Sequence, residues 1–103
     1  MGIIKVALVD EHGIDEAEVD GDTHVLDPIL PQFQSDRFHC LRFIDPFGDT
    51  VFNRLQMQRL IQEWNAVQSA ASDVPTQNLV AQVADLIRKG AAERHTYLKF
   101  FGD

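Results

Sequence analysis

Asp45 and Asp49 bracket the turn Asp45-Pro46-Phe47-Gly48, with Arg42, Asn53 and Arg54 close by in the chain. Two carboxylates held near each other with an arginine opposite form a polar site of the kind acid–base catalysis uses, because environment can then separate their pKa values. The same residues also have a structural reading. Aspartate at the first position of a Pro-Gly turn bonds backbone N–H groups, proline presets φ at the second position, and glycine suits the fourth. Asp49 would pair with Arg42 or Arg54 across the hairpin. Turn chemistry accounts for both acids, so the expectation is that Asp45 and Asp49 make the turn. A ligand or substrate site there requires an open cleft, and a turn packed shut by Phe47 would argue against it.

Other chemistry-bearing residues are weaker candidates. His12, Asp15 and Glu16 are spaced as one helical face would place metal ligands, and Asp20, Asp22 and His24 alternate as strand neighbours do. Neither set fits a metal motif. Counted from Glu18, the sixth and twelfth positions of a calcium loop hold Thr23 and Ile29 in place of glycine and glutamate. A solvated acidic surface is the better account, and no metal is expected. His39 and His95 stand alone, without the serine or threonine partners of a nucleophilic site. The one cysteine, Cys40, has no partner for an internal disulfide, and its apolar setting marks it as a small buried hydrophobe. His39 is its sequence neighbour, but on a strand the two would point to opposite faces. No glycine-rich phosphate loop, CxxC, HExxH or GxSxG string occurs, and no cofactor is implied.

The placement of charge is more informative than its total. The chain has 103 residues and a net charge of −7, with 45% hydrophobic and 24% charged residues. Residues 1–36 set one base, Lys5, against nine acids and so carry −8; residues 37–103 set eight bases against seven acids and carry +1. An acidic surface repels nucleic acid and anionic lipid headgroups and attracts a basic protein. The composition is that of an ordinary globular chain, and no apolar run reaches the roughly 20 residues of a spanning helix. The apolar run after Met1 breaks at Asp10, too early for a secretory signal, so a cytoplasmic location is expected.

The elements that must position these residues follow from hydrophobic period. Residues 3–9, IIKVALV, read as a strand with both faces covered. Residues 11–31 are punctuated by Gly13, Gly21, Pro28 and Pro31, leaving room only for short strands, one around Ile14, Ala17 and Val19 and another over 23–26. The run 37–45, RFHCLRFID, has the strongest strand character in the chain. Its apolar residues occupy both parities, as in an interior strand, and the turn at Asp45 then leads to a return strand through about Leu55. The competing reading starts a helix at Asn53, since Asn53 and Gln56 have capping-box spacing. Met57, Leu60, Ile61, Trp64, Val67 and Ala71 mark one helix, with Gln58, Arg59, Gln62, Glu63 and Gln68 off its buried stripe. Leu79, Val80, Val83, Leu86 and Ile87 mark a second, which Arg88-Lys89-Gly90 would end, while the helix-forming residues Ala91 to Arg94 would carry it to about 94. The aromatic tail 96–101, TYLKFF, reads as a closing strand.

The fold class is therefore α+β: a mostly antiparallel sheet, two helices packed on one face and a C-terminal strand, in one globular domain. Trp64, Phe38, Phe43, Phe52, Phe100 and Leu60 are the expected core. The strings LRFIDPFGDTVFNRLQ and HTYLKFFGD resemble those of small bacterial proteins of about this length to which no activity, cofactor or catalytic residue is attached. The resemblance implies a bacterial, cytoplasmic setting and carries no functional residue.

Three functions are compatible with these observations. The leading one is a non-catalytic interaction domain, inhibitor- or immunity-like, that binds a basic partner through Asp15, Glu16, Glu18, Asp20 and Asp22. The second is a small enzyme or ligand-binding protein with a polar site at Arg42, Asp45, Asp49, Asn53 and Arg54. The third is a homo-oligomer, most simply a homodimer, formed through an exposed helical face or through 96–101 as an unpaired edge strand.

Overall fold

The computed structural model describes residues 2–103. Its architecture is α+β, with strands β1 (Ile3–Asp10), β2 (Asp15–Glu18), β3 (Thr50–Phe52) and β4 (Thr96–Gly102) and helices α1 (Arg54–Ala70) and α2 (Val74–Ala92). The strands form one sheet in the order β2-β1-β4-β3, with every neighbouring pair antiparallel.

β1 supplies the core through Ile3, Val6 and Leu8, and β4 answers with Leu98 and Phe100. Seven paired positions join these two central strands, with one irregularity between Ile3 and Lys5. β4 is thus an interior strand, flanked by β1 and β3, which removes the reading of 96–101 as an unpaired edge. The aromatic tail was rightly assigned as strand, but it takes the seat that 37–45 was expected to fill.

Both helices close over the inner face of the sheet. Asn53 caps α1 through a capping box: its side chain accepts from Gln56 N at 2.9 Å, and Gln56 Oε1 accepts from Asn53 N at 2.8 Å. Helix α1 therefore begins at Arg54, the competing sequence reading, and the return strand is cut short at Phe52. Trp64 is fully buried, and its indole N–H donates to Val80 O at 2.9 Å, tying α1 to α2. Gly90 does not end α2. A Cβ there would lie 2.9 Å from Leu8 Cδ2 and closer still to Met57 Sδ, so glycine is what lets α2 pass against both α1 and β1.

The largest departure from the sequence reading is the run 37–45, which forms no strand. Leu41–Phe43 is a 3-10 turn, and the buried residues are Cys40, Leu41 and Ile44, not an alternating set. Strand formation would need ladder partners for the backbone N–H groups. Here the donors of His39, Cys40 and Leu41 go instead to the Glu63 carboxylate, at 3.0, 3.0 and 3.1 Å. Thr23–Leu26 is likewise a 3-10 turn and not a strand; Asp22 caps it by accepting from His24 N. Of the expected core, Trp64, Phe52, Phe100 and Leu60 are buried. Phe38 is only half-buried, packed edge-on to Phe33 at 5.2 Å, and Phe43 is 59% exposed.

Candidate functional site

The acidic candidates fall along one edge of the sheet. β2 pairs with the second half of β1, from Ala7 opposite Glu18 to Val9 opposite Asp15, and the chain then runs back beside β1 until Thr23 Oγ1 donates to Ile3 O. Asp15, Glu16 and Glu18 sit on β2 itself, and all are exposed. They are not uniformly free. Asp15 pairs with Lys5, whose pKa is raised chiefly by that bond, and Glu16 accepts weakly from the Thr96 hydroxyl at 3.5 Å. Asp20 is clamped through its backbone, N–H and carbonyl both bonding the Gln82 side chain of α2 at 2.8 Å, while its carboxylate is left to solvent. Asp22 is a turn cap. A short, charged edge strand also resists unwanted edge-to-edge pairing.

The histidines are placed separately, and among the described residues no group of three metal-ligating side chains forms. His12 and His95 both approach Glu11, at 3.7 and 3.3 Å, while His24 Nδ1 lies 3.0 Å from Asp27 Oδ2. Cys40 is buried with its thiol 3.7 Å from Gln56 O. Burial, reinforced by Glu63, pushes that thiol's pKa up, which opposes thiolate chemistry.

The turn at Asp45 forms as its sequence dictates. Asp45 Oδ1 accepts from Phe47 N at 2.8 Å, and Gly48 N donates to Asp45 O at 3.4 Å. The two aspartates do not share a site. Asp49 turns to Lys99 of β4, 3.5 Å away, rather than to Arg42 or Arg54. Arg42 instead pairs with Asp36 at 3.0 Å and lies 4.7 Å from the Phe43 ring centroid. Asn53 is committed to its capping box and Arg54 opens α1. The five-residue polar constellation is therefore divided, with only Arg42 and Asp45 left facing a common space.

That common space is an open cleft of about 730 Å³. Three segments line it: Gly2 beside β1, then Asp27, Pro31 and Gln34, then residues 42–47. The 3-10 turns Leu30–Phe33 and Leu41–Phe43 pack together beneath it. Phe43 and Phe47 are 59% and 65% exposed, so Phe47 does not pack the turn shut.

The cleft wall is rigidly built. Thr50 Oγ1 accepts from Asp45 N at 2.9 Å, and Asp103 N donates to both Pro46 O and Gly2 O, at 3.0 and 3.1 Å. Gly102 packs directly on the turn: a Cβ at that position would be 2.7 Å from Asp45 O and closer still to the carbonyls of Pro46 and Gly48. The strings DPFGD and FFGD, far apart in sequence, thus meet at one place, and the end of β4 holds the turn that presents Phe47.

Glu63 supports the same wall from inside. Burial pushes its carboxyl pKa upward, but the N–H donors of Leu41, Cys40 and His39, with Arg59 at 3.2 Å, outweigh burial and leave it below the usual value. It anchors the backbone immediately before Arg42 and Phe43. Sequence reasoning missed Glu63, which lies off the apolar stripe, and missed Asp27, whose Oδ1 accepts from Ile3 N at 2.9 Å on the cleft floor. A helical pattern registers polarity but not a carboxylate's non-local donors, so no local signal pointed to either.

Among the described residues no helix is long and apolar enough to cross a membrane. Comparisons with protein-family models, curated proteins and solved structures found no match to this chain.

Proposed function

We propose that the protein is a non-catalytic interaction domain that recognises a basic protein partner. The observation that carries this reading is the path of the acidic segment: Asp15, Glu16, Glu18, Asp20 and Asp22 follow one another along the outer edge of β1 as far as Asp27 in the cleft. Opposite charge arranged in this way steers encounter and gives an association that weakens with salt. Of the nine acids in residues 1–36, Asp15, Glu16, Glu18, Asp20 and Asp22 lie on this border of the sheet and its adjoining loop, whereas Asp36 stands apart, paired with Arg42. An inhibitor- or immunity-like role in a bacterial cytoplasm fits the reading.

The test is affinity purification of the tagged chain beside a variant with Asp15, Glu16, Glu18 and Asp20 replaced by Asn or Gln, at low and high salt. Capture of one basic partner that is lost in the variant and at high salt is the expected result. Equal recovery by both proteins overturns the proposal.

A second reading, a ligand-binding protein using Arg42 and Asp45, is favoured by the open cleft itself, whose volume lies in the usual range for ligand sites of about 300–1,000 Å³. The separation of Asp49, Asn53 and Arg54 from that cleft favours binding over acid–base chemistry.

A further inference from the structure

We infer that the cleft between Asp27 and Phe47 is the docking site for an extended, lysine- or arginine-containing segment of the partner, with an apolar side chain seated between Phe43 and Phe47. The inference rests on the proposed basic partner and adds where and how that partner is gripped.

Three observations converge on this occupant. Phe43 and Phe47 leave well over half of their surface to water, with Pro31 and Pro46 beside them, in a wall held by the hydrogen bonds to Asp45 N, Phe47 N and Pro46 O. A backbone held in place before binding leaves only the two side-chain torsions of each phenylalanine to be ordered on contact, a small loss for the apolar area a ring can cover. Exposure at Phe43 and Phe47 thus differs from an isolated surface leucine, since both rings border one concavity.

Charge then selects the ligand. Among the described residues lining the cleft, the one Lys or Arg is Arg42, which is already paired with Asp36 and has the Phe43 ring 4.7 Å away. Of the cleft's carboxylates, Asp45 accepts from Phe47 N, and Asp27 accepts from Ile3 N and lies 3.0 Å from His24 Nδ1; neither has a Lys or Arg within ion-pair distance among the described residues. They continue the acidic edge that ends at Asp27. An anionic ligand would meet a neutralised arginine and two carboxylates, whereas a lysine or arginine would find complementary charge. The cleft is open at the surface, and aromatic-lined surface grooves are a recurring docking mode for extended peptide segments.

The experiment is selection of a phage-displayed random peptide library on the immobilised full chain at low salt, with the Phe43→Ala/Phe47→Ala variant as the counter-target. Both substituted rings are exposed, and equal thermal melting of the two proteins confirms that the variant folds. Expected are sequences rich in Lys or Arg around an apolar residue. A synthetic consensus peptide should bind the variant about tenfold or more weakly. It should also lose affinity when its basic residues are changed to Glu, and it should shift the amide resonances of Asp27, Gln34 and Phe47.

Acidic or neutral consensus sequences, peptides bound equally by the variant, or failure to enrich any sequence would each overturn the inference. The two readings fail separately. If the four-acid variant loses the natural partner while the double-Phe variant retains it, the basic-partner reading stands and docking in the cleft does not.

Discussion

Two aromatic sites on the surface share a chemistry and differ in outcome. On the outer face of the sheet the Phe101 ring lies between two ammonium groups, 5.0 Å from Lys5 and 4.5 Å from Lys99. Each lysine is held in turn by a carboxylate, Lys5 by Asp15 and Lys99 by Asp49. The strip Asp15, Lys5, Phe101, Lys99, Asp49 crosses the sheet from β2 toward β3, and it leaves the ring half-covered by its own chain. At the cleft, Phe43 has one cation, Arg42, and Phe47 has none among the described residues. Both rings there are more than half exposed. The difference teaches where an aromatic is already satisfied within the fold and where its surface is left for another molecule.

The largest expected effect comes from removing what holds the cleft wall in place. Glu63→Ala leaves the buried N–H groups of Cys40 and Leu41 and the part-buried one of His39 without their acceptor, and should cost about 3 kcal/mol in urea unfolding. Glu63→Gln, which keeps one good acceptor oxygen, should cost less. The pH dependence has a definite sign. A carboxylate whose folded pKa lies below its unfolded value stabilises the native state at pH above the unfolded value, and this contribution is lost as pH falls through the folded pKa. For Glu63 the ordinary value is 4.5 and the folded one is lower. Wild-type stability should therefore hold steady above about pH 5.5 and fall with acidification from about 4.5 downward, as the glutamate's unfolded pKa is passed. Glu63→Gln should flatten that acid limb, and an unchanged limb would show that Glu63 does not anchor the wall.

The paired rings give the direct form of the comparison. Phe101→Ala removes half-buried surface and two cation–π contacts, and should cost about 2 kcal/mol. Phe47→Ala removes a ring that rests mainly in water and should change stability by about 0.5 kcal/mol or less. Thermal or urea melts of the two single variants check this. Equal losses would mean that Phe47 is a structural residue, and the contrast between the two surfaces would disappear.

How much of this was legible depended on how local each determinant is. The helices were readable because Met57, Leu60, Trp64 and Val67, and later Leu79, Val83 and Ile87, repeat with the helical period, although the cap offered by Asn53 and Gln56 was ranked behind a return strand through about Leu55. The turn at Asp45 was readable because its donors and acceptors lie within four residues. The segment 37–45 was not, because its apolar residues suit either an interior strand or a loop that buries Cys40, Leu41 and Ile44. What decides between them is an acceptor on a helix 22 to 24 residues away. The cleft was half legible: Arg42 and Asp45 were named as candidates, but the pairing of Asp49 with Lys99 and the entry of Asp27 depend on which strands become neighbours. The exposure of Phe43 was hidden for the same reason, since composition marks a phenylalanine as apolar without saying which side of the chain meets the core.

The smallest effect tests whether the outer strip is cooperative or merely adjacent. Lys99 and Asp49 are separated by 3.5 Å, and their side chains are 28% and 52% exposed, so water screens the pair and each side chain loses freedom on forming it. A double-mutant cycle with Lys99→Met and Asp49→Asn should give a coupling below about 1 kcal/mol, shrinking further in high salt. Repeating the cycle in a Phe101→Ala background separates two mechanisms. If the ring orients the ammonium toward Asp49, the coupling should fall with the ring gone. If it stays constant, Phe101 and Asp49 hold Lys99 independently, and the half-covered state of Phe101 reflects packing against two lysine stems rather than a connected network of charge.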